Sequence, residues 1–365
     1  MIKHGGNLDE AAIKYGIAKD KWLDLSTGIN PNPWVAAEQV PDSVYHTLPH
    51  PDATFYSVAC RYYQTDELLA VPGSQSAIQA LPRLMENKVV AIPVPGYEEH
   101  YYQWQQNNHQ LLTYDPDTVD LLAFVNQHQP DIVIVINPNN PSCKLFNNSE
   151  LLKVLKLVEK RNGLLVVDEA FLDTRNQHSL LQVSSAHLIV LRSIGKFFGL
   201  PGIRMGFVKA DIKWRQQLEE YLGAWPHTGA GLWITTHCLA DSRWQQKIQQ
   251  ILKIDSQQLA DYLSTIFPDN QSISSTDYFA SYRTTTQEAH IIQDFYAQHG
   301  ILVRLIELPQ GDKQYDAIIR IGLCRNAVVE QEREQIRYFK QITLKLSQHL
   351  GWSLRGVNAE LRECQ

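Results

Sequence analysis

Three short apolar runs, each leading into a polar loop, constrain this chain more than any other feature. Ile132-Val133-Ile134-Val135-Ile136 runs into Asn137-Pro138-Asn139-Asn140-Pro141, and Leu164-Leu165-Val166-Val167 into Asp168-Glu169-Ala170-Phe171. Leu188-Ile189-Val190-Leu191 runs into Arg192-Ser193-Ile194-Gly195-Lys196. Short, continuous, β-branched runs of this kind read as fully buried strands. Between the first two lies Ser149 to Arg161, with Leu151, Leu152, Leu155 and Val158 on one face, Ser149 as cap and Asn162-Gly163 as stop. That pattern predicts an amphipathic helix. Strand, helix and strand in succession form a crossover, which requires parallel pairing. Lys88 to Ile92 and Gly206 to Lys209 read as further strands of the same sheet. The expected fold class is α/β, and open α/β sheets bind ligands at the carboxyl ends of their strands.

From about Asp241 the pattern changes. A long helix to about Phe267-Pro268 is followed by a Ser/Thr-rich strand region, a helix ending near Gly300, two short strands and a helix from about Val328 to Leu350. The expected division is a large domain over 41–240 and a smaller α+β domain made of 1–40 and 241–365. A chain of 365 residues has ample length for both cores. A net charge of −6, without a Lys/Arg cluster interleaved with aromatics, argues against a nucleic-acid binder. The five cysteines are scattered and show no C-x-x-C spacing, which suits a reducing compartment and argues against a disulfide framework or zinc site. No apolar run approaches the ~20 residues of a spanning helix, and Met1-Ile2-Lys3-His4 opens no signal peptide. A cytoplasmic protein without a membrane or metal partner is expected. His46 and His50 flank Leu48-Pro49 in a proline-rich loop, which is poor geometry for a metal pair.

The strand ends carry the chemistry. Lys196 follows a strand directly, beside Ser193 and Gly195, with Arg204 further on. An amine placed there can form a Schiff base with an aldehyde cofactor, while a serine hydroxyl and a guanidinium hold that cofactor's phosphate. Pyridoxal 5'-phosphate (PLP) is the cofactor implied. Asp168 suits its ring nitrogen, because a carboxylate there keeps the nitrogen protonated and the ring an electron sink. Asn140 can donate to a ring oxygen. In Val71-Pro72-Gly73-Ser74-Gln75 a Gly-Ser turn opens a helix whose free N–H groups suit an anion.

In this order and spacing the segments resemble the fold-type I PLP enzymes, and more narrowly the histidinol-phosphate aminotransferase and threonine-phosphate decarboxylase group. The likeness covers nearly the whole chain. It is sharpest on the decarboxylase side, which belongs to cobalamin biosynthesis, in His4-Gly5-Gly6-Asn7, Ile29-Asn30-Pro31, Asp168 to Phe171 and Arg192 to Lys196. The resemblance implies a mostly parallel seven-stranded sheet between helices and a homodimer. It further implies a small phosphorylated amino acid as substrate, decarboxylated from L-threonine O-3-phosphate to (R)-1-aminopropan-2-yl phosphate. Lys196 would hold the cofactor and Asp168 pair with its ring nitrogen, with Phe171 beside it. Asn140 would bond the ring oxygen and Tyr97 stack on the ring face. Gly73, Ser74, Gln75, Ser193 and Arg204 would form the phosphate pocket. Arg320 would grip the substrate α-carboxylate, and His4, Gly5 and Arg304 its phosphate, with Gly28 lining the same substrate site.

The chain departs from the group at three places. Leu48-Pro49 stands where members commonly carry a Tyr-Pro pair reaching the neighbouring subunit's cofactor. Gly28 stands where the decarboxylase tends to have Asn, and Gln75 where a hydroxyl or carboxyl is common. Two other readings use the same residues. An aminotransferase of the histidinol-phosphate type differs only in which bond at Cα is broken, and a PLP-binding sensor of a transcription regulator would need a helix-turn-helix domain ahead of the fold.

Overall fold

The structure is a computed structural model that describes residues 5–268, 272–308, 315–325 and 330–353, with the side chains of 330–332 also outside the description. Two compact units divide the chain, one of residues 1–32 and 248–365 and the other of residues 33–247.

The first strand in chain order, β1 (Leu23–Asp24), belongs to the first unit. The next seven build the second unit: β2 (Leu68–Val71), β3 (Val89–Pro93), β4 (Gln110–Tyr114), β5 (Ile132–Ile136), β6 (Leu164–Asp168), β7 (Leu188–Ser193) and β8 (Gly206–Lys209). They form one seven-stranded sheet in the order β2-β8-β7-β6-β5-β3-β4. β8 runs antiparallel to β2 and β7, and the other neighbours are parallel, so the expected mostly parallel sheet of a fold-type I enzyme is present. Every residue of β5 and β6 is buried, as strands covered on both faces require. Each fully buried Val, Leu or Ile contributes about 1.5–3 kcal/mol, which makes this central pair a rigid base for whatever its ends carry.

The crossover helix is shifted from its sequence reading. It spans Asn148–Glu159, and its cap is Asn147, not Ser149. Asn147 accepts from the Glu150 N–H at 2.9 Å and from the Ser149 hydroxyl at 2.6 Å. The asparagine side chain two residues earlier reaches the orphan N–H, and the serine hydroxyl braces it.

In the other unit, the remaining strands are β9 (Ile273–Ser275), β10 (Phe279–Thr284), β11 (Ile301–Leu302), β12 (Arg304–Glu307) and β13 (Ala317–Gly322). They give an antiparallel sheet in the order β12-β13-β10-β9, and β1 pairs in parallel with β11. Ile266, Phe267, Tyr296, Ile319, Ile321 and Phe339 lie in its core. Among the described residues no helix is long and apolar enough to cross a membrane.

Candidate active site

Adjacent strand ends concentrate the reactive groups of the larger unit. Asp168 closes β6 and is 3% exposed. One carboxylate oxygen accepts from the Ala170 N–H at 3.0 Å, and the other lies 3.0 Å from Nε2 of His100. His100 is itself 2% exposed and sits in the helix Glu98–Gln106, one turn after Tyr97. Nothing in the linear sequence joined His100 to Asp168, because the contact crosses separate elements. The spacing of Tyr97 and His100 was the available signal: residues three apart on a helix share a face, and here the rings meet edge-on with centroids 6.3 Å apart.

Lys196 lies on the single helical turn Ile194–Phe197 that follows β7. The turn is pinned by fully buried Ile194, Phe197 and Phe198, while Lys196 stays half-buried. Its Nζ sits 5.1 Å from the centroid of the Phe171 ring, a cation–π distance. Ser193 caps the turn, its hydroxyl accepting from the Gly195 N–H.

Strand β8 approaches the Gly73 loop closely at Gly206, and Gly73 itself takes the left-handed backbone that favours glycine. Gly73 has φ +71°, and a Cβ there would lie 2.8 Å from Nη2 of Arg204. A Cβ on Gly206 would lie 2.7 Å from the Ser74 nitrogen. Glycine at both positions therefore brings the Arg204 guanidinium and the first N–H groups of the helix Ser74–Ala80 together. Arg204 also donates to the Pro201 carbonyl at 3.1 Å. Positive charge and free N–H groups on one glycine-walled cradle suit a phosphate. With the Lys196 amine and the buried Asp168 carboxylate on neighbouring strand ends, the residues present fit PLP.

The loop after β5 is tied down by its asparagines. Asn137 takes the Phe146 N–H at 2.8 Å and donates to the Phe146 carbonyl, and Asn139 accepts from the Ser142 N–H at 3.1 Å. Asn140, half-buried, sits between them and Pro141. Tyr97 donates its hydroxyl to Oε1 of Gln75 at 3.1 Å, and Gln75 Nε2 donates to Glu99 at 2.8 Å. The Gln75 side chain is thus engaged by protein groups, and only its backbone N–H is left to face an anion.

A fully buried ion cluster backs this site. Arg192, 0% exposed, reaches Glu169 at 2.9 Å, Asp173 at 2.8 Å and Asn176 at 3.1 Å. Burial pushes the Glu169 carboxyl above its ordinary range, against which the Arg192 charge pulls it back.

The remaining sequence-predicted residues belong to the other unit. Arg304 and Arg320 stand directly opposite each other in the β12–β13 register, on one face of that sheet. Arg320 is 8% exposed, donates to the Ser26 carbonyl and lies 5.2 Å from the Phe279 ring. Gly5 packs on the same Ser26, where a Cβ would lie 2.5 Å from its carbonyl oxygen. Gly28 is buried. His4 lies outside the described residues.

The comparisons with known proteins agree with this chemistry. A model of the aminotransferase class I and II family matches residues 20–335. The chain is 36% identical over 325 residues to the threonine-phosphate decarboxylase of Pseudomonas aeruginosa, covering 88% of this chain and 93% of the relative. It is 42% identical over 241 residues to the threonine-phosphate decarboxylase of a Sinorhizobium species, covering 64% and 70%. Its fold matches the histidinol-phosphate aminotransferase of Sinorhizobium meliloti in complex with pyridoxal-5'-phosphate, with a TM-score of 0.76 at 17% identity over 94% of this chain and 95% of that one. The buried strand-end Asp, the lysine turn and the glycine-walled Arg204 loop thus stand in a chain that belongs to the aminotransferase class I and II family of PLP enzymes, on its threonine-phosphate decarboxylase branch.

Proposed function

We propose that this protein decarboxylates L-threonine O-3-phosphate, yielding (R)-1-aminopropan-2-yl phosphate for cobalamin biosynthesis. The observation that carries the reading is the pair Arg304 and Arg320, set directly opposite each other in neighbouring strands. Two guanidiniums on one face of neighbouring strands suit a substrate with two anionic groups. Phosphothreonine carries a carboxylate and a phosphate. Similarity to two threonine-phosphate decarboxylases supports the same choice.

In this reading Arg320 holds the α-carboxylate, and Arg304 holds the phosphate with the Gly5 segment and His4, Gly28 leaving room beside them. Bound PLP supplies the electron sink for the pair left at Cα when carbon dioxide departs. Lys196 tethers the cofactor and carries the proton that replaces the lost carboxylate at Cα. Asp168, braced by His100, holds positive charge at the ring nitrogen, Asn140 donates to the ring oxygen, and Phe171 and Tyr97 bound the ring. Gly73, Ser74, Gln75, Ser193 and Arg204 receive the cofactor phosphate, Gln75 through its backbone. The carboxylate grip chooses the reaction by presenting the Cα–carboxylate bond for cleavage in place of Cα–H.

With phosphothreonine and no keto acid, carbon dioxide release should continue over many turnovers. Arg304→Ala should raise KM for phosphothreonine by roughly one to two decades, the worth of a charge-assisted hydrogen bond, and affect unphosphorylated threonine far less. A requirement for 2-oxoglutarate would transfer the chain to the aminotransferases.

The working form in this reading is a cytoplasmic homodimer. Val35, Tyr45 and Leu48 are 75%, 63% and 63% exposed, which leaves an apolar segment for a second copy to cover. Four cysteines among the described residues are free thiols, consistent with a reducing compartment. Sedimentation should give a dimer whose dissociation follows Leu48→Glu, and a fully active monomer would refute the assembly.

A further inference from the structure

Gln75 occupies the cradle end of a hydrogen-bonded chain that the phosphate role does not use. Its amide nitrogen donates to Oε2 of Glu99 at 2.8 Å, and its amide oxygen accepts from the Tyr97 hydroxyl at 3.1 Å. Gln103, one helical turn beyond Glu99, donates to the same carboxylate oxygen at 3.2 Å. Glu99 and Gln103 are 9% and 8% exposed. An amide has one donor end and one acceptor end. A carboxylate accepts only, so Glu99 takes the NH₂ end and obliges the oxygen to face Tyr97. The phenol must then donate, and its ring loses rotational freedom about the end that reaches furthest from the backbone.

We propose that Gln75 is a positioning residue that fixes the Tyr97 ring through its hydroxyl, with Glu99 setting the orientation of the amide. The backbone end of Tyr97 is held as well: its carbonyl accepts from the His100 N–H at 3.0 Å, and the His100 ring packs edge-on beside it. Since His100 also touches Asp168, the groups assigned to the ring face and to the ring nitrogen share one scaffold. The glutamine has the reach and the two-ended polarity that a short hydroxyl lacks. The inference rests on the reading that Tyr97 stacks on the cofactor.

The test compares binding of PLP and of pyridoxal, which lacks the phosphate, to the cofactor-free apoprotein, together with the visible circular dichroism of the PLP-loaded enzyme. A positioning role predicts that Gln75→Leu weakens both ligands by the same factor, roughly twofold to tenfold for one lost hydrogen bond, and diminishes the visible dichroism. Tyr97→Phe should reproduce both changes, and the double variant should add nothing to either single one. Weakening of PLP with pyridoxal unchanged would make Gln75 a phosphate ligand and overturn the proposal, as would additive effects of the two substitutions. Tyr97→Ala separates the layers. If it leaves affinity and dichroism unaltered, the stacking reading falls and takes the proposal with it. If it alters them while Gln75→Leu is silent, the proposal alone falls. Glu99→Gln, nearly isosteric, frees the Gln75 amide to turn over and should shift the dichroism in the same direction, so the question stays answerable if Gln75→Leu folds poorly.

Discussion

Lys196→Ala is expected to abolish turnover while leaving the fold in place. The substitution removes an amine from a turn whose anchors lie elsewhere. Ile194, Phe197 and Phe198 are fully buried, and the Lys196 carbonyl keeps its bond from the Gly199 N–H at 3.2 Å. On the proposed reading two functions leave with the side chain, the covalent tether and the proton carrier at Cα. Loss of a positioned proton-transfer group alone costs roughly 10²–10⁴-fold in rate, and loss of the tether adds to it. Borohydride treatment of the loaded enzyme should fix the cofactor on the peptide containing Lys196 and on no other, read by mass spectrometry. In Lys196→Ala the fixation should vanish with the far-ultraviolet dichroism unchanged. An adduct on another lysine would overturn the assignment.

How much of this was legible in the chain depends on the range of the interaction. The β5, β6 and β7 runs announced themselves because strands buried on both faces need unbroken apolar residues, and every residue of β5 and β6 is buried. The positions of Asp168 at the end of β6 and of Lys196 and Gly73 just past β7 and β2 were legible for a related reason: the apolar runs mark where each strand stops. The ties that hold these groups were not legible. His100 meets Asp168 and Gln75 meets Tyr97 through contacts between separate elements, and no local pattern encodes a partner far along the chain. The same limit misplaced the helix cap, since Ser149 and Asn147 are both good capping types and only geometry chose Asn147. Gln75 shows the cost most clearly. Its position beside the anion cradle suggested a phosphate ligand, whereas its side chain is spent on Glu99 and Tyr97.

Removing the Arg192 charge should be the most damaging single change away from the reacting groups. Arg192 and Glu169 stand on neighbouring strand ends, one residue before Ser193 and one after Asp168. Around the guanidinium gather Glu169, Asp173, Asn176 and the face of Tyr63, with Tyr62 and Ser179 donating to the carboxylates at 2.8 and 2.5 Å. Arg192→Met keeps much of the volume but leaves two buried carboxylates facing a thioether. Breaking a buried ion pair from one side costs about 3–5 kcal/mol, read as a lower denaturation midpoint at unchanged slope. The pH dependence identifies the cause. Burial already raises the Glu169 carboxyl above its ordinary value of 4.5, and Arg192 is the charge that restrains it. Without that charge the folded state should hold the Glu169 proton to still higher pH, so that between 4.5 and the new folded value it binds more protons than the unfolded chain. Stability then falls as pH rises through that window. Arg192→Met should therefore lie closer to the parent protein at pH 5 than at pH 8, and adding Glu169→Gln should recover part of the loss at pH 8. A deficit independent of pH, unrelieved by Glu169→Gln, would mean that Arg192 stabilises the strand ends by packing and not by charge.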